Sequence, residues 1–236
     1  MIRVAAVGDV HLDADVLGRF RPALNRLDEH ADVLLLAGDL TRHGSVAEAA
    51  CVAQEFRDLP VPVIAVLGNH DHHCDQPGPL TTVLSDAGIT VLEGTSTTVD
   101  CRGGRLGVAG VKGFGGGFAG RCATAFGEPE MKAFVHTTER SADSLAAALS
   151  GLDCDVRVAL THFSPVPDTL VGEPLEIYPF LGSYLLAQAI DAGAAALAVH
   201  GHAHKGTEHG ATPGGVPVRN VAHPVIGKAY AVYHVS

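Results

Sequence analysis

The chain has 236 residues, 47 % of them apolar and 18 % charged, with a formal net charge of −10. That length supports one domain with a substantial core, and an acidic balance without a Lys/Arg cluster disfavours a protein that grips a polynucleotide backbone. Cys51, Cys74, Cys101, Cys122 and Cys154 are dispersed and odd in number, which fits free thiols in a reducing compartment better than a disulfide framework. The first apolar run meets Asp9 too soon to be a signal-peptide core, and no run approaches the roughly 18 apolar residues of a membrane span. The expectation is a soluble, cytoplasmic protein with no membrane partner.

Ile2 to Val7 reads as a buried strand ending in Gly8-Asp9-Val10-His11. Val16, Phe20, Leu24 and Leu27 are spaced as on one face of a helix over about 15–29. Val33 to Ala37 is a second strand, followed by Gly38-Asp39. Ser45-Val46-Ala47-Glu48 has the form of a capping box and opens a helix to about Asp58, which Pro60 and Pro62 stop. A third strand over 63–67 runs into Gly68-Asn69-His70-Asp71. The order is βαβαβ, and right-handed crossovers bring the three strand ends to one edge, where α/β proteins place their chemistry.

A short helix over 80–87 precedes a β-rich middle with strands at 90–92, 97–101 and 106–111. Residues 113–120 hold five glycines but no Gly-Lys-Ser/Thr ending of a phosphate-cradling loop; they predict a mobile surface or pocket-edge loop. A helix over 138–150 leads to a strand over 156–160 that ends in Thr161-His162. Four prolines between Ser164 and Ser183 predict an ordered, non-regular wall. A helix over 183–192 and a strand over 195–199 deliver His200-Gly201-His202-Ala203-His204, and strands over 216–221 and 229–235 close the chain. No internal repeat or linker is visible, so residues 1–236 are expected to form a single domain. Segments 113–120 and 163–182 are expected to shape its pocket.

Five strand-end clusters stand in order: Asp9-x-His11, Gly38-Asp39, Gly68-Asn69-His70-Asp71, His162 and Gly201-His202-x-His204. Side chains at i and i+2 of an extended segment share a face, so Asp9 with His11, and His202 with His204, can each address one site. Carboxylate, imidazole and amide donors without a thiolate suit Mn, Fe or Zn; the 14 histidines point the same way. A glycine before Asp39, Asn69 and His202 lets the backbone turn sharply off the strand.

This order, D-x-H, G-D, G-N-H-[DE], H and G-H-x-H, resembles that of the calcineurin-like (binuclear) metallophosphoesterases and spans residues 9–204. The resemblance implies a four-layer α/β/β/α sandwich of two mainly parallel or mixed sheets. It implies one metal on Asp9, His11, Asp39 and His204, and a second on Asp39, Asn69, His162 and His202. Asp39 would then bridge two divalent or mixed-valence ions (Mn, Fe or Zn) about 3.5–4 Å apart. The implied reaction is attack of a metal-bridging hydroxide on a small-molecule phosphoester. His70 would face the leaving-group oxygen as general acid or hydrogen-bond donor.

One position departs from related subclasses. Protein Ser/Thr phosphatases carry an Asp three residues after the bridging Asp, where it orients the catalytic histidine, and purple acid phosphatases carry a metal-bound Tyr; here the residue is Arg42. The departure favours a small phosphodiester, nucleotide-type esters included, over a phosphoprotein. A phosphomonoesterase and a non-catalytic protein-interaction scaffold on the same fold are the alternatives. Whether Asp71 takes over the orienting role is open. Arg42 reads as an exposed arginine beside a helix, with phosphate contact as the alternative. His72 and His73 read as solvated loop residues, with a role at the site mouth as the alternative; Cys74 reads as a free structural thiol in preference to a ligand, and His200 as either a packed strand end or a functional group. Asn220 and His223 are further candidates if the late strand's end reaches the site.

Overall fold

In the computed structural model, which describes residues 1–236, strand β1 (Ile2–Val7) is buried on both faces. A strand in the middle of a stacked sheet must be apolar on both sides. The strands that follow are β2 (Val33–Ala37), β3 (Val63–Val66), β4 (Ile89–Val91), β5 (Thr95–Cys101) and β6 (Gly104–Val111). Next come the two-residue strands β7 (Gly117–Phe118) and β8 (Arg121–Cys122), then β9 (Val156–Thr161) and β10 (Leu197–His200). The last three are β11 (His209–Ala211), β12 (Pro217–Asn220) and β13 (Ala231–Val235). The helices are α1 (Arg21–Leu24), α2 (Val46–Phe56), α3 (Pro77–Asp86), α4 (Pro129–Ser150), α5 (Tyr178–Leu181), α6 (Tyr184–Ala192) and α7 (His223–Ile226).

Two mixed sheets result. The first has the order β13-β1-β2-β3-β4 and is parallel except for β13. The second has the order β11-β12-β10-β9-β6-β5, parallel in its centre and antiparallel at both edges. Period-two alternation sorts the side chains into layers. Val4, Ala6, Leu35 and Ile64 from the first sheet meet Val108, Val158, Leu160 and Val199 from the second in one apolar cluster. The opposite face of the first sheet, with Ala5, Leu34 and Leu36, packs against Val52 and Phe56 of α2 and Leu80 and Leu84 of α3. The opposite face of the second, with Ala109 and Ala159, packs against Leu145 and Leu149 of α4 and Leu186 and Ile190 of α6. This is the expected α/β/β/α sandwich. The Ser45 capping box forms as written, with Glu48 closing it. No helix is long and apolar enough to cross a membrane.

Three expectations need correction. The helix over 15–29 is broken: α1 is a single turn between 3-10 turns at Ala14–Val16 and Leu27–Glu29. Glu55, buried on α2, accepts from the backbone N–H groups of Gly18, Phe20 and Arg21 at 2.6–2.7 Å. A carboxylate that captures three amides removes them from any helical ladder. The apolar spacing still holds, because Phe20, Leu24 and Leu27 are buried. Of the expected surface or pocket-edge loop over 113–120, the surface half does not hold for 113–118, while Gly116 and Gly120 do line hollows. Residues 113–118 run mostly buried, and a Cβ on Gly115 would lie 2.6 Å from the Pro179 carbonyl oxygen. The glycines there let the backbone press against the 179–183 segment. Helix α4 begins nine residues earlier than expected, at Pro129 instead of 138, because Pro129 is pre-organised for the first turn.

Candidate metal centre

The C-terminal ends of β1, β2 and β3 in one sheet, and of β9 and β10 in the other, meet at the same edge of the sandwich. Asp9, His11, Asp39 and His204 each bring a donor atom to within 4.8 Å of the others there. Asp39, His162 and His202 do the same beside them, so Asp39 belongs to both groups. Asn69 joins the second group: its Oδ1 lies 3.0 Å from His162 Nε2. All seven residues expected as metal ligands are therefore brought to one edge. His70 stands beside them, its ring centroid 4.5 Å from that of His11. A third convergence, of Asp13, His43 and Glu48, is satisfied within the chain, since Glu48 closes the Ser45 cap and bonds His43 Nδ1 at 2.9 Å.

The backbone is strained at this edge. Asp9, His11, Asp39 and His202 have φ between 43° and 70°, a region that non-glycine residues seldom occupy. Glycine serves two different needs beside them. Gly38, at φ +81°, makes the sharp turn expected of it. Gly68 and Gly201 instead leave room: a Cβ on Gly68 would sit 2.1 Å from Asp39 Oδ1, and one on Gly201 2.2 Å from Asp9 Oδ2. The two carboxylates occupy the space where side chains would have been.

Electrostatics follow from burial and pairing. Burial pushes the Asp39 carboxyl up, but the His162 imidazole 3.3 Å away and the His70 backbone N–H outweigh it and hold the group well below the usual carboxylate range. Burial pushes His162 down, and Asp39 more than reverses this, lifting it to about 9. Burial, reinforced by His162, drives His202 down to about 3. The Asp9 hydrogen bond at 2.8 Å raises His204, while burial lowers His11. His162 Nδ1 donates to the Ala37 carbonyl at 2.8 Å, which leaves Nε2 facing Asp39 and Asn69. A ring fixed in this way by a carbonyl is how a metal-binding histidine is usually held. A cation at that point would replace the proton shared with Asp39. The donor set of carboxylates, imidazoles and one amide fits two borderline or hard cations.

The orienting contact for His70 lies on the backbone. His70 Nδ1 donates to the Arg42 carbonyl at 2.8 Å, a contact no side-chain pattern reveals. The Arg42 guanidinium itself is committed to Asp13 and Asp15, at 3.3 and 2.8 Å. Asp71 does not touch His70's ring. Fully buried, it accepts from the N–H groups of Leu40, Thr41 and Gly68 and from the Thr41 hydroxyl. It ties the loops after β2 and β3 together. Asp71→Ala would strand three buried N–H groups and is expected to cost about 3 kcal/mol or more. The check is a lower urea midpoint at unchanged slope.

The remaining candidates sort themselves. His200 is buried, neutral by desolvation, and bonded to the Thr169 hydroxyl at 2.8 Å, so it packs the strand end. Asn220 donates to the Ala203 carbonyl at 2.8 Å and thereby holds the loop carrying His202 and His204. The His223 N–H donates to Gly8 O at the neighbouring edge, and its ring stands against Phe20. His73 and Cys74 are exposed. His72 contradicts the solvated reading: its Nε2 is enclosed and unpartnered, because the single 3-10 turn at His70–His72 points it inwards. Lys112 was missed. It follows β6 directly, its Nζ lies over the rings of Phe114 and Phe163, and it feels the Asp39 charge. The strand-end rule that found the other clusters, applied to β6, points to it.

Comparison with known proteins agrees with this geometry. The family model for calcineurin-like phosphoesterases matches residues 2–206. Among solved structures, phosphopantetheinyl hydrolase of Mycobacterium tuberculosis superposes with a TM-score of 0.67 at 17% identity, covering 93% of this chain and 88% of that one. GAP50, described as the anchor in the inner membrane complex of Plasmodium, gives 0.59 at 11% identity, covering 94% and 72%. At such identities these show a shared fold and nothing more. No curated protein sequence matches the chain. The family match over nearly the whole length, on a fold whose strand ends converge as described, makes this chain a member of the calcineurin-like phosphoesterase family.

Proposed function

We propose that the chain is a two-metal phosphodiesterase acting on a small phosphodiester, carried by a single domain over residues 1–236. One observation carries the reading: two donor groups share Asp39, with His70 alongside and held by the Arg42 carbonyl. On this reading Asp9, His11, Asp39 and His204 hold one ion, and Asp39, Asn69, His162 and His202 the other. Such a pair supplies an activated water and a clamp on the phosphoryl oxygens. Asp39 sets the spacing. The Ala37 carbonyl fixes the His162 ring, and Asn220 fixes the backbone at Ala203 between His202 and His204. With Nδ1 committed to a carbonyl, His70 presents Nε2 to the leaving-group side and donates from it in the imidazolium form.

Preference for a diester is supported by the state of Arg42. Asp13 and Asp15 neutralise its guanidinium, so it offers no free positive charge to the second ionisation of a monoester. Lys112, near Asp39 of the second group, also faces the Glu93 carboxylate.

The test is elemental analysis joined to turnover on bis(4-nitrophenyl) phosphate and on 4-nitrophenyl phosphate with added Mn²⁺. Two ions per chain and faster diester hydrolysis are expected. Less than one ion, unrescued by Mn²⁺, would overturn the reading. A clear monoester preference would overturn its diester half.

A further inference from the structure

A cavity of about 560 Å³ is walled by Met131, Phe134, Pro179 and Phe180, with Cys122 and Arg121 at its side, and Phe180 also contacts His202 of the second donor group. The cavity lining is mainly apolar and contains no carboxylate. Its size falls within the range of small-molecule sites. We propose that this cavity receives an apolar organic group of the phosphoester, so that the substrate class is amphiphilic: a phosphodiester with an aliphatic or aromatic substituent.

Continuity with the metal centre is the main argument. Phe180 belongs to both places: its side chain lines the cavity, and its carbonyl oxygen lies 3.3 Å from His202 Nε2. A second route leads back to the same histidine. The His202 ring lies 4.3 Å from that of Phe163, which is 5.9 Å from Phe114, which is 5.1 Å from Phe134 on the cavity wall. Phe134 and Phe180 then close the path at 6.2 Å. Of the eight phenylalanines, Phe134 and Phe180 line the cavity, and Phe114 and Phe163 connect it by ring packing to His202. Lys112 adds a cation over Phe114 and Phe163, at 5.5 and 5.8 Å from their centroids. The ring packing thus runs from the apolar cavity to Lys112, which faces Glu93 as well as Asp39, and to His202 of the second donor group.

Exposure agrees with a surface that receives an apolar group. Phe180 is 60% exposed and Met131 43%, a cost in water unless something covers them. The larger hollow, about 800 Å³ between α2 and α3, offers no such link. It is lined by the C-terminal ends of those helices, which lie at the opposite end of the sheet from the strand ends that carry the site.

This inference rests on the phosphodiesterase reading, and the test separates the two. The Mn²⁺-loaded protein is assayed on methyl and hexyl 4-nitrophenyl phosphate, and its binding of methylphosphonate and hexylphosphonate is measured by calorimetry. Each fully buried methylene contributes about fourfold in binding, so partial burial of five should favour hexyl by about tenfold or more in both measurements. Met131→Glu and Cys122→Glu, each placing a carboxylate in the lining at an exposed position, should abolish that preference and leave methyl-ester turnover unchanged. Equal treatment of the two chain lengths, or a preference that survives both variants, would overturn the cavity assignment. A hexylphosphonate preference lost in both variants, in a protein that hydrolyses no ester, would uphold the cavity and sink the hydrolase reading instead.

Discussion

Asp39→Ala is expected to lose both metal ions and with them at least about a thousandfold of hydrolytic rate, roughly 4 kcal/mol of transition-state stabilisation. No other residue is placed to do this. Asp39 is the one member common to both donor groups, it is 1% exposed, and it accepts the His70 N–H at 2.8 Å. Removing it deprives each ion of its shared anion. It also leaves His162 fully buried without the carboxylate that lifts its pKa to about 9. Asn69→Ala is the useful contrast, because it takes a neutral donor from one group only; that variant should retain about one ion per chain. Elemental analysis of both proteins, with near-ultraviolet circular dichroism as a check of folding, decides the matter. An Asp39→Ala protein that is metal-free and fully active would end the binuclear reading.

Much of this was legible before any coordinates. Strands β1, β2 and β3 are short apolar runs closed by Gly and acidic or amide residues, and their length and flanking glycines favour a buried strand meeting a loop over a buried helix. Long-range convergence was legible because the fold rule for parallel strands sends all their ends one way. What stayed hidden has a common cause. The Arg42 carbonyl that holds His70 is a backbone atom, identical at every position of any sequence. The three amides that break the helix over 15–29 are captured by Glu55, more than thirty positions away, which periodicity over a local window does not register. The glycines of 113–118 have loop composition, yet composition is blind to whether a bare backbone faces water or another backbone. Lys112 was readable in principle, since it follows a strand like the other clusters; its chemistry, cation instead of ligand, kept it out of the set.

His70→Ala should give the opposite signature to Asp39→Ala: metal content near that of wild type, with kcat down by about 10²- to 10⁴-fold. Its imidazole belongs to neither donor group, and the substitution leaves intact the His70 backbone N–H that Asp39 accepts. Only the ring pinned to Arg42 O is lost. The size of the loss should depend on the leaving group. A 4-nitrophenoxide departs with little protonation, so bis(4-nitrophenyl) phosphate should be the least sensitive substrate and a dialkyl phosphate the most. Equal losses on both would assign the ring to binding or to packing against His11. Loss of an ion from His70→Ala would make it a ligand.

The seam between the two sheets carries a consequence for how the chain comes into being. On the proposed assignment, Asp9, His11, Asp39 and Asn69 leave a nascent chain early, whereas His162, His202 and His204 arrive only when most of it has been made. The early group alone offers Asp9, His11 and Asp39 to one ion and lacks the imidazoles that complete either. Closing spans such as the 195 positions between Asp9 and His204 requires both sheets to have docked first. On that assignment, the complete donor groups exist only in the assembled sandwich, and a bound ion would stabilise that state over one with the sheets apart. Metal supply would then shift the balance towards chains whose two halves have found each other.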